Sequence, residues 1–317
     1  MSKIAFIFSG QGAQYVGMGK DLYEEIPECR KIFEIAEKEL KIPLTKICFE
    51  GTKDEIDKTE NTQPAILTLS IATMKALEKQ GIKPDVTAGL SLGEYSALVC
   101  SNVIDFKDAV SLVRKRGQYM ENAVPNGVGT MAAIIGLKKE IVKEICDDLK
   151  EFGIVQIANI NCPGQIVISG EINAVEKACE IAKEKRALKC VKLSVSGPFH
   201  SVMLKEAGGE NLYEELKMIN LKSIDIPFIT NVTGDFVKST KEIKDLLKKQ
   251  VMSTVLWEDS IKRMIDFGVD IFIEIGPSKV LSGFVKKINR KVTILNVEDM
   301  DSLNKTIDKL QTIKIIG

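Results

Sequence analysis

The chain has 317 residues, 44% of them hydrophobic and 28% charged, which is typical of a soluble globular protein. Its 44 basic and 44 acidic residues give a formal net charge of zero, so the composition favours neither a nucleic-acid nor a membrane-surface partner. The first apolar run, Ile4 to Phe8, is too short for a signal peptide or a membrane span, and we expect a buried strand there.

Short apolar runs rich in β-branched residues alternate along the chain with amphipathic helical stretches. The strands predicted from these runs are Ile4–Phe8, Val86–Ala88, Ile226–Ile229 and Ile271–Ile275, and the helices include Ala65–Gln80, Glu94–Cys100, Asp105–Ala123 and a terminal helix from Ser302. Strands that alternate with helices indicate an α/β fold with a mainly parallel sheet.

The middle of the chain has a different order of elements. The pattern predicts, in turn, strand Thr130–Leu137, helix Lys138–Phe152, strands Val155–Ile160 and Gln165–Ser169, helix Ile172–Arg186 and strand Leu188–Val195. This β-α-β-β-α-β order is the ferredoxin-like motif, and turn-rich segments flank it. We therefore predict a large hydrolase-like α/β domain formed by residues 1–126 and 196–317, carrying a ferredoxin-like insert at residues 127–195.

The cysteines are scattered and odd in number, without a Cys-x-x-Cys pair. They are Cys29, Cys48, Cys100, Cys146, Cys162, Cys179 and Cys190. This usage argues against a disulfide framework or a zinc site, and it favours a reducing, cytoplasmic location.

A pentapeptide between a predicted strand and a predicted helix carries the first candidate for catalysis, Gly89-Leu90-Ser91-Leu92-Gly93. In that context a Gly-x-Ser-x-Gly turn holds the serine in a strained conformation at a helix N-terminus, where backbone N–H groups stabilise an oxyanion. Ser91 is therefore a candidate nucleophile. The alternative is an ordinary serine between two chance glycines, because the motif is short.

The chain contains a single histidine, His200, just after a Gly-Pro turn. A serine hydroxyl is a weak nucleophile without a base, and imidazole is the side chain best matched to neutral pH. His200 is therefore the candidate base, and the order serine before histidine is that of the α/β-hydrolases. A histidine that only packs or caps is the alternative. The group that orients the imidazole stays open, because many acids and carbonyls compete.

Arg116 lies on the apolar stripe of a predicted helix, in register with Phe106, Ala109, Val113 and Met120. A guanidinium on a core-facing stripe needs an anionic partner, and arginine binds a carboxylate in a bidentate manner. Beside a serine–histidine pair, Arg116 is a candidate for binding a substrate carboxylate. A structural salt bridge to one of the chain's own acids is the alternative.

Motifs of one enzyme family run along nearly the whole chain. They are FSGQGAQYVGMG at 8–19, TQPAIL at 62–67, GLSLGEYSALV at 89–99, VRKRGQYM at 113–120, MAAIIGL at 131–137, NINCPGQIVISG at 159–170, SGPFHS at 196–201, QVMSTVLW at 250–257 and EIGPSKVLSGF at 274–284. In these residues the chain resembles the malonyl-CoA:acyl carrier protein transacylases of fatty-acid and polyketide synthesis.

The resemblance implies roles for the candidate residues. Ser91 would take the acyl group as an ester, and His200 would act first as general base and then as general acid. A backbone carbonyl orients the histidine in this family, and the matching position is Gln250. The family fold, a hydrolase-like core with a ferredoxin-like insert, agrees with the predicted fold class.

The resemblance also implies how the substrate is held. The backbone N–H groups of Gln11 and Leu92 would form the oxyanion hole, and Arg116 would bind the free carboxylate of malonate. Gln63 would lie near the site.

A polar segment between two insert strands contains Asn159, Asn161 and Gln165. These side chains either face the thioester and the pantetheine arm or simply satisfy the backbone of a turn.

The chain departs from the family pattern in two places. Leu90 replaces the histidine that commonly precedes the nucleophile, so any tuning by that histidine is absent while His200 remains. Gly276-Pro277-Ser278 replaces Gly-Pro-Gly, a tolerated change of turn. Phe199 agrees with a malonyl preference over larger branched acyl groups.

The resemblance implies a ping-pong transfer of malonyl from malonyl-CoA to the phosphopantetheine thiol of acyl carrier protein, for fatty-acid synthesis. No metal or redox cofactor, nucleic acid or membrane is expected to take part, and the protein is expected to be a cytoplasmic monomer. The alternatives are an acyl transferase of a polyketide pathway, a serine thioesterase or esterase on the same scaffold, and a non-catalytic docking protein.

Overall fold

The computed structural model describes residues 2–195 and 197–315. The strands are β1 (Lys3–Phe8), β2 (Val86–Gly89), β3 (Gly129–Ile135), β4 (Val155–Cys162), β5 (Gln165–Glu171), β6 (Lys189–Lys192), β7 (Phe228–Ile229), β8 (Val269–Ile275) and β9 (Thr293–Val297).

Helices connect these strands. They are α1 (Lys20–Glu25), α2 (Pro27–Leu40), α3 (Leu44–Glu50), α4 (Lys53–Asp57), α5 (Thr59–Lys79), α6 (Gly93–Cys100), α7 (Phe106–Asn122), α8 (Lys139–Asp148), α9 (Ile172–Glu184), α10 (Asn211–Met218), α11 (Thr240–Gln250), α12 (Trp257–Asp266), α13 (Val280–Ile288) and α14 (Met300–Thr312). A 3₁₀ turn at Val202–Leu204 and a π-helical turn at Lys205–Glu210 precede α10.

The larger sheet, sheet A, has the order β7-β2-β1-β8-β9 and is parallel throughout. Alternate side chains of β1 enter different hydrophobic clusters, Phe6 and Phe8 on one face and Ala5 and Ile7 on the other. Helices α5 and α7 contribute to the first cluster, and α12 and α13 to the second. Because both faces are buried, the strands are continuous apolar runs, which is why the sequence revealed them.

The smaller sheet, sheet B, has the order β4-β5-β3-β6 and is antiparallel throughout. Side chains of α8 and α9 pack on one of its faces around Ile134 and Ile168. This is the predicted ferredoxin-like arrangement. Sheets A and B together confirm the fold class, a mainly parallel α/β sheet with a second, antiparallel sheet.

Several element boundaries differ from the prediction. Helix α5 begins at Thr59 rather than at Ala65, so Pro64 lies inside the helix. Strand β7 begins only at Phe228, because Pro227 has no N–H to donate and offers just its carbonyl, to the N–H of Thr87 at 3.0 Å. Strand β9 was not predicted, since most of its residues are only half-buried.

The division into domains stays a prediction. Sheet B and its two helices lie within residues 129–192, inside the predicted insert. Positions 196, 316 and 317 of the predicted outer domain lie outside the described residues, as does position 1. None of the described helices has the length and apolar character needed to cross a membrane.

A disulfide joins Cys179 of α9 to Cys190 of β6. The sequence reasoning, which argued against disulfides from the odd count and the missing Cys-x-x-Cys pair, is wrong for these two residues. Packing of the helix against the strand brings the two thiols together, and no local motif marks that approach. The remaining cysteines are free and buried: Cys29, Cys48, Cys100, Cys146 and Cys162.

Candidate active site

The site lies at the carboxyl ends of the strands of sheet A, where ligands bind in open parallel sheets. A cavity of about 470 Å³ opens there, beside strand β4 of sheet B. Its lining includes Gln11 from the loop after β1, Ser91 from the turn after β2, and His200. The structure therefore brings the two predicted catalytic side chains and the glycine-flanked loop of Gln11 to one cavity.

The turn between β2 and α6 holds Ser91 in a left-handed conformation, with φ 53°. Such a backbone is rare for serine and is typical of a nucleophile elbow. The flanking glycines allow the close packing of this turn. A Cβ on Gly89 would lie 1.9 Å from the carbonyl carbon and oxygen of Gly93, and a Cβ on Gly93 would lie 2.2 Å from the carbonyl oxygen of Phe8.

Gly89→Ala is expected to lower the free energy of unfolding by about 3 kcal/mol, because backbone atoms of the elbow must move to admit the methyl group. Gly283→Ala in α13 is the matched control, since a Cβ there meets no atom within 4 Å. That variant is expected to gain up to about 1 kcal/mol from helix propensity. Urea unfolding of the two variants measures both values, and equal midpoints would contradict the close-packing argument.

His200 lies between the hydroxyl of Ser91 and the backbone carbonyl of Gln250, the last residue of α11. The hydroxyl of Ser91 and Nε2 of His200 are 2.7 Å apart, and Nδ1 of His200 lies 2.8 Å from the carbonyl oxygen of Gln250. A carbonyl only accepts, so Nδ1 carries the proton and Nε2 is free to accept from the serine. The arrangement has the geometry of a nucleophile, a base and an orienting acceptor.

The imidazole is buried, with 4% of its surface exposed. Burial, followed by the nearby cation of Arg116, lowers the pKa of His200 to about 4. At neutral pH the ring is therefore uncharged, which is the form that can accept the proton of Ser91.

The rate of acylation is expected to keep its neutral-pH value down to about pH 5 and to fall tenfold per unit below about pH 4. The rate falls on the acid side because the pKa of His200 is lowered to about 4. The neutral, active imidazole therefore persists above about pH 4 and is lost as the pH drops through that value. The pH profile of kcat/KM measures this, with circular dichroism at each pH to verify folding. An acid limb near pH 6.5, the ordinary value for histidine, would contradict it.

Arg116 lies directly behind the nucleophile, with 1% of its surface exposed. Its Nη2 donates to the hydroxyl of Ser91 at 3.1 Å and to Oε1 of Gln250 at 3.0 Å, and its Nη1 donates to Oε1 of Gln63 at 2.9 Å. Among the described residues, no carboxylate forms a salt bridge with this guanidinium. The structural salt bridge considered from the sequence is therefore not what the structure contains.

The loop after β1 comes close to the nucleophile. A Cβ on Gly10 would lie 2.5 Å from the carbonyl oxygen of Leu90, so the two backbones touch. Within the described part of the chain, neither the N–H of Gln11 nor that of Leu92 donates a hydrogen bond. Both donors are therefore available beside the cavity.

The three residues with the least support from sequence all lie in or against the site. Gln63, fully buried on α5, accepts from Arg116. Asn159 and Asn161 line the cavity. Both belong to strand β4, which extends to Cys162 past the predicted end at Ile160, and Gln165 begins strand β5, so neither the two asparagines nor Gln165 lie in a segment between the strands. Register shifts on both sides of Asn159 reorient this part of β4, as β-bulges near sites do.

The chain matches the family model described as acyl transferase domain over residues 5–310. That match covers nearly the whole sequence. The chain belongs to the acyl transferase domain family.

Relatives of this acyl transferase share its full length. The malonyl CoA-acyl carrier protein transacylase of Bacillus subtilis (strain 168) is 49% identical over 312 residues, which cover 98% of each chain. The crystal structure of the malonyl CoA-acyl carrier protein transacylase from Clostridium perfringens superimposes with a TM-score of 0.96 at 47% identity, covering 99% of each chain.

A further solved structure contains a type II PKS acyl-carrier protein in complex with its malonyl-transacylase. It is 37% identical to the acyl transferase, with a TM-score of 0.94, and the match covers 97% of this chain and 100% of that one.

Two polar residues of the acyl transferase site escaped the sequence reasoning. The side chain of Asn231 accepts from the N–H of Ser91 at 2.6 Å and donates to the carbonyl of Gly89 at 2.7 Å. Glu94, buried in the first turn of α6, accepts from the N–H of Asn231 at 3.0 Å and from Nε2 of Gln250 at 2.7 Å. Their signals were a polar residue just after a buried strand and a lone acid in an apolar helix.

Among the described residues, no group of three or more histidine, cysteine, aspartate or glutamate side chains is arranged to hold a metal ion.

Proposed function

We propose that the protein transfers a malonyl group from malonyl-CoA to the phosphopantetheine thiol of acyl carrier protein, through an ester on Ser91. One observation carries the proposal beyond acyl transfer in general. A buried arginine that forms no salt bridge with a carboxylate among the described residues donates directly to the nucleophile's hydroxyl. Such a cation favours a substrate that brings its own carboxylate. The names of the full-length relatives support the same substrate.

In the first half-reaction the hydroxyl of Ser91 attacks the thioester carbonyl while Nε2 of His200 takes its proton. The negative charge on the carbonyl oxygen is stabilised by the N–H groups of Gln11 and Leu92. The carbon–sulfur bond then breaks, His200 gives the proton to the departing CoA thiolate, and the malonyl group remains on the serine.

The carbonyl of Gln250 keeps the proton of His200 on Nδ1 throughout this step, so that Nε2 stays the reactive nitrogen. Arg116 binds the free carboxylate of malonate through its guanidinium, whose Nη2 donates to both the hydroxyl of Ser91 and Oε1 of Gln250. A cation beside the hydroxyl also favours its ionised form.

In the second half-reaction the pantetheine thiol of acyl carrier protein gives its proton to His200 and attacks the ester carbonyl. The carbon–oxygen bond breaks, and the proton returns to Ser91. Asn159 and Asn161 support this step as polar contacts for the pantetheine arm, since both line the cavity and the side-chain oxygen of Asn161 is buried without a hydrogen-bond partner in the described part of the chain. The reaction needs no metal or redox cofactor.

A serine thioesterase on the same scaffold is the second candidate, because Ser91, His200 and an oxyanion hole also suffice for hydrolysis. The partition of the malonyl group decides between the two. Malonyl-CoA is mixed with the enzyme and holo acyl carrier protein, and malonyl-carrier and free malonate are measured by mass spectrometry. The proposal predicts carrier product in large excess; free malonate as the main product would favour the thioesterase.

The pathway served by the product, fatty-acid or polyketide synthesis, is a further part of the proposal. Fatty-acid synthesis is the pathway that we favour, as the family resemblance implies. The solved complex with a type II PKS acyl-carrier protein keeps the polyketide alternative open at 37% identity. We also place the protein in the cytoplasm as a monomer. Five free, buried cysteines support a reducing compartment, whereas the disulfide between Cys179 and Cys190 does not.

A further inference from the structure

Glu94 is a buried carboxylate that touches none of the reacting atoms. It has 1% of its surface exposed and lies in the first turn of α6, the helix that begins at the nucleophile. One of its oxygens, Oε2, accepts from two donors, Nε2 of Gln250 and the N–H of Asn231. Burying an acid costs free energy that hydrogen bonds must offset, and each of the two donors connects Glu94 to a different part of the site.

The first path leads to Arg116 through the side chain of Gln250. The two ends of a glutamine amide have nearly the same shape, but only the nitrogen end can donate to a carboxylate. Nε2 of Gln250 donates to Glu94 at 2.7 Å and to the carbonyl oxygen of Ser91 at 2.9 Å. Glu94 is the charged one of these two acceptors, so it holds the nitrogen end of the amide more strongly. The oxygen of the amide is left to face Arg116, whose Nη2 donates to it at 3.0 Å.

The amide orientation decides how the guanidinium is held. With its oxygen toward Arg116, Gln250 gives the cation a neutral acceptor that keeps Nη2 beside the hydroxyl of Ser91. A reversed amide would place two N–H donors against a guanidinium that has no acceptor of its own, and the arginine would have to move. An aspartate or glutamate at 250 would instead form an internal salt bridge and compete with the substrate's carboxylate.

The second path leads to the nucleophile through Asn231. Its backbone N–H donates to Glu94, while its side chain joins the N–H of Ser91 to the carbonyl of Gly89. These bonds hold the turn in which Ser91 keeps its φ of 53°. Glu94 is thus the common acceptor behind both the nucleophile's backbone and the guanidinium.

We propose that Glu94 is a positioning residue for substrate selection, because its carboxylate fixes the amide of Gln250 and thereby the place where Arg116 receives the malonyl carboxylate. The inference rests on the proposed function, since it requires Arg116 to bind that carboxylate. Acetyl-CoA has no carboxylate for Arg116 to bind. A substitution that displaces the arginine is therefore expected to slow acylation by malonyl-CoA more than acylation by acetyl-CoA.

The test compares the second-order rate constants for acyl-enzyme formation from malonyl-CoA and acetyl-CoA. Glu94→Ala is expected to reduce the malonyl-to-acetyl ratio by about tenfold, the loss of one hydrogen bond to a charged group. Glu94→Gln keeps one acceptor oxygen for both donors and is expected to retain the ratio within about threefold. Ser96→Ala is the control, as it removes a buried hydroxyl from the same helix that has no partner in the described chain.

Gln250→Met provides a second route should Glu94→Ala fail to fold. Methionine keeps the backbone carbonyl that faces His200 but offers Arg116 only a weak sulfur acceptor in place of the amide oxygen, so the ratio is again expected to fall about tenfold. In an Arg116→Ala background, either substitution is expected to leave the ratio where Arg116→Ala alone puts it.

Three results would overturn the inference. The first is an equal decrease of the rate constants for malonyl-CoA and acetyl-CoA in Glu94→Ala. The second is an unchanged malonyl-to-acetyl ratio in Gln250→Met. The third is a further fall of that ratio when either substitution is added to Arg116→Ala. Failure of the proposed function looks different, because the wild-type enzyme would then release free malonate instead of forming malonyl-carrier, or would show no preference for malonyl-CoA over acetyl-CoA.

Discussion

Ser91→Ala is expected to reduce malonyl transfer by at least about 10⁴-fold, the scale on which removal of a catalytic serine acts. The substitution removes the atom that attacks the thioester and leaves the other groups of the site in place. His200 keeps its contact with the carbonyl of Gln250, and Arg116 keeps its contact with Oε1 of the same residue. Steady-state transfer to holo acyl carrier protein measures the loss.

The fold of Ser91→Ala is expected to survive. The left-handed backbone at this position is already occupied by a residue with a Cβ, and the hydrogen bond from its N–H to Asn231 does not involve the hydroxyl. A melting temperature within a few degrees of the wild type, with Ser96→Ala as a fully active control, would therefore accompany the lost activity. Residual transfer near the wild-type rate would remove Ser91 from the mechanism.

Arg116→Ala is expected to lower kcat/KM for malonyl-CoA by about 10²- to 10³-fold, as expected when one partner of a buried ion pair is removed. Acetyl-CoA brings no carboxylate, so its kcat/KM changes far less and the preference between the two donors reverses. Competition between equal concentrations of the two, followed by mass analysis of the acyl-enzyme, measures the preference directly.

Two variants of the same helix serve as controls for this result. Arg116→Lys keeps the charge but loses the planar fork, so we expect an intermediate preference. Arg114→Ala removes a partly exposed arginine that pairs with Glu60 outside the site, and its preference is expected to match the wild type. An unchanged malonyl-to-acetyl ratio in Arg116→Ala would show that Arg116 does not bind the malonyl carboxylate.

The central strands of sheet A could be predicted from the sequence, because a strand that is buried on both faces consists of consecutive apolar residues. The edge strands of the sheet were predicted less well. Strand β9 is half-buried and carries a weaker pattern, and β7 is cut short by the missing N–H of Pro227. Helix α5 begins at Thr59, ahead of the predicted start at Ala65, and its first turn packs into the protein, since Thr59 and Thr62 are buried.

The catalytic pair was predictable because local chemistry marks it. Gly89 and Gly93 are required by contacts of under 2.5 Å that only glycine avoids, and a single histidine leaves no choice of imidazole. The place of Arg116 was predictable from helical periodicity, but its neighbours were not. Gln63 and Gln250 approach it from α5 and α11, and their meeting depends on how these helices pack.

Asn231 and Glu94 show the limit of the sequence argument most clearly. Each supports the nucleophile's turn through hydrogen bonds that join positions far apart in the chain, such as that from the N–H of Ser91 to Asn231. No motif connects them, so only the fold reveals that they share a purpose. The pairing of Cys179 with Cys190 also has no sequence motif, because it depends on how α9 packs against β6.

The intact mass of the enzyme after mixing with malonyl-CoA tests the central claim most directly, with Ser91→Ala measured beside the wild type. We expect a malonyl adduct on the wild type alone, which disappears when holo acyl carrier protein is added, while the malonyl group appears on the carrier. An adduct on Ser91→Ala as well, or no adduct on either protein while malonyl-carrier still forms, would contradict the covalent mechanism on Ser91.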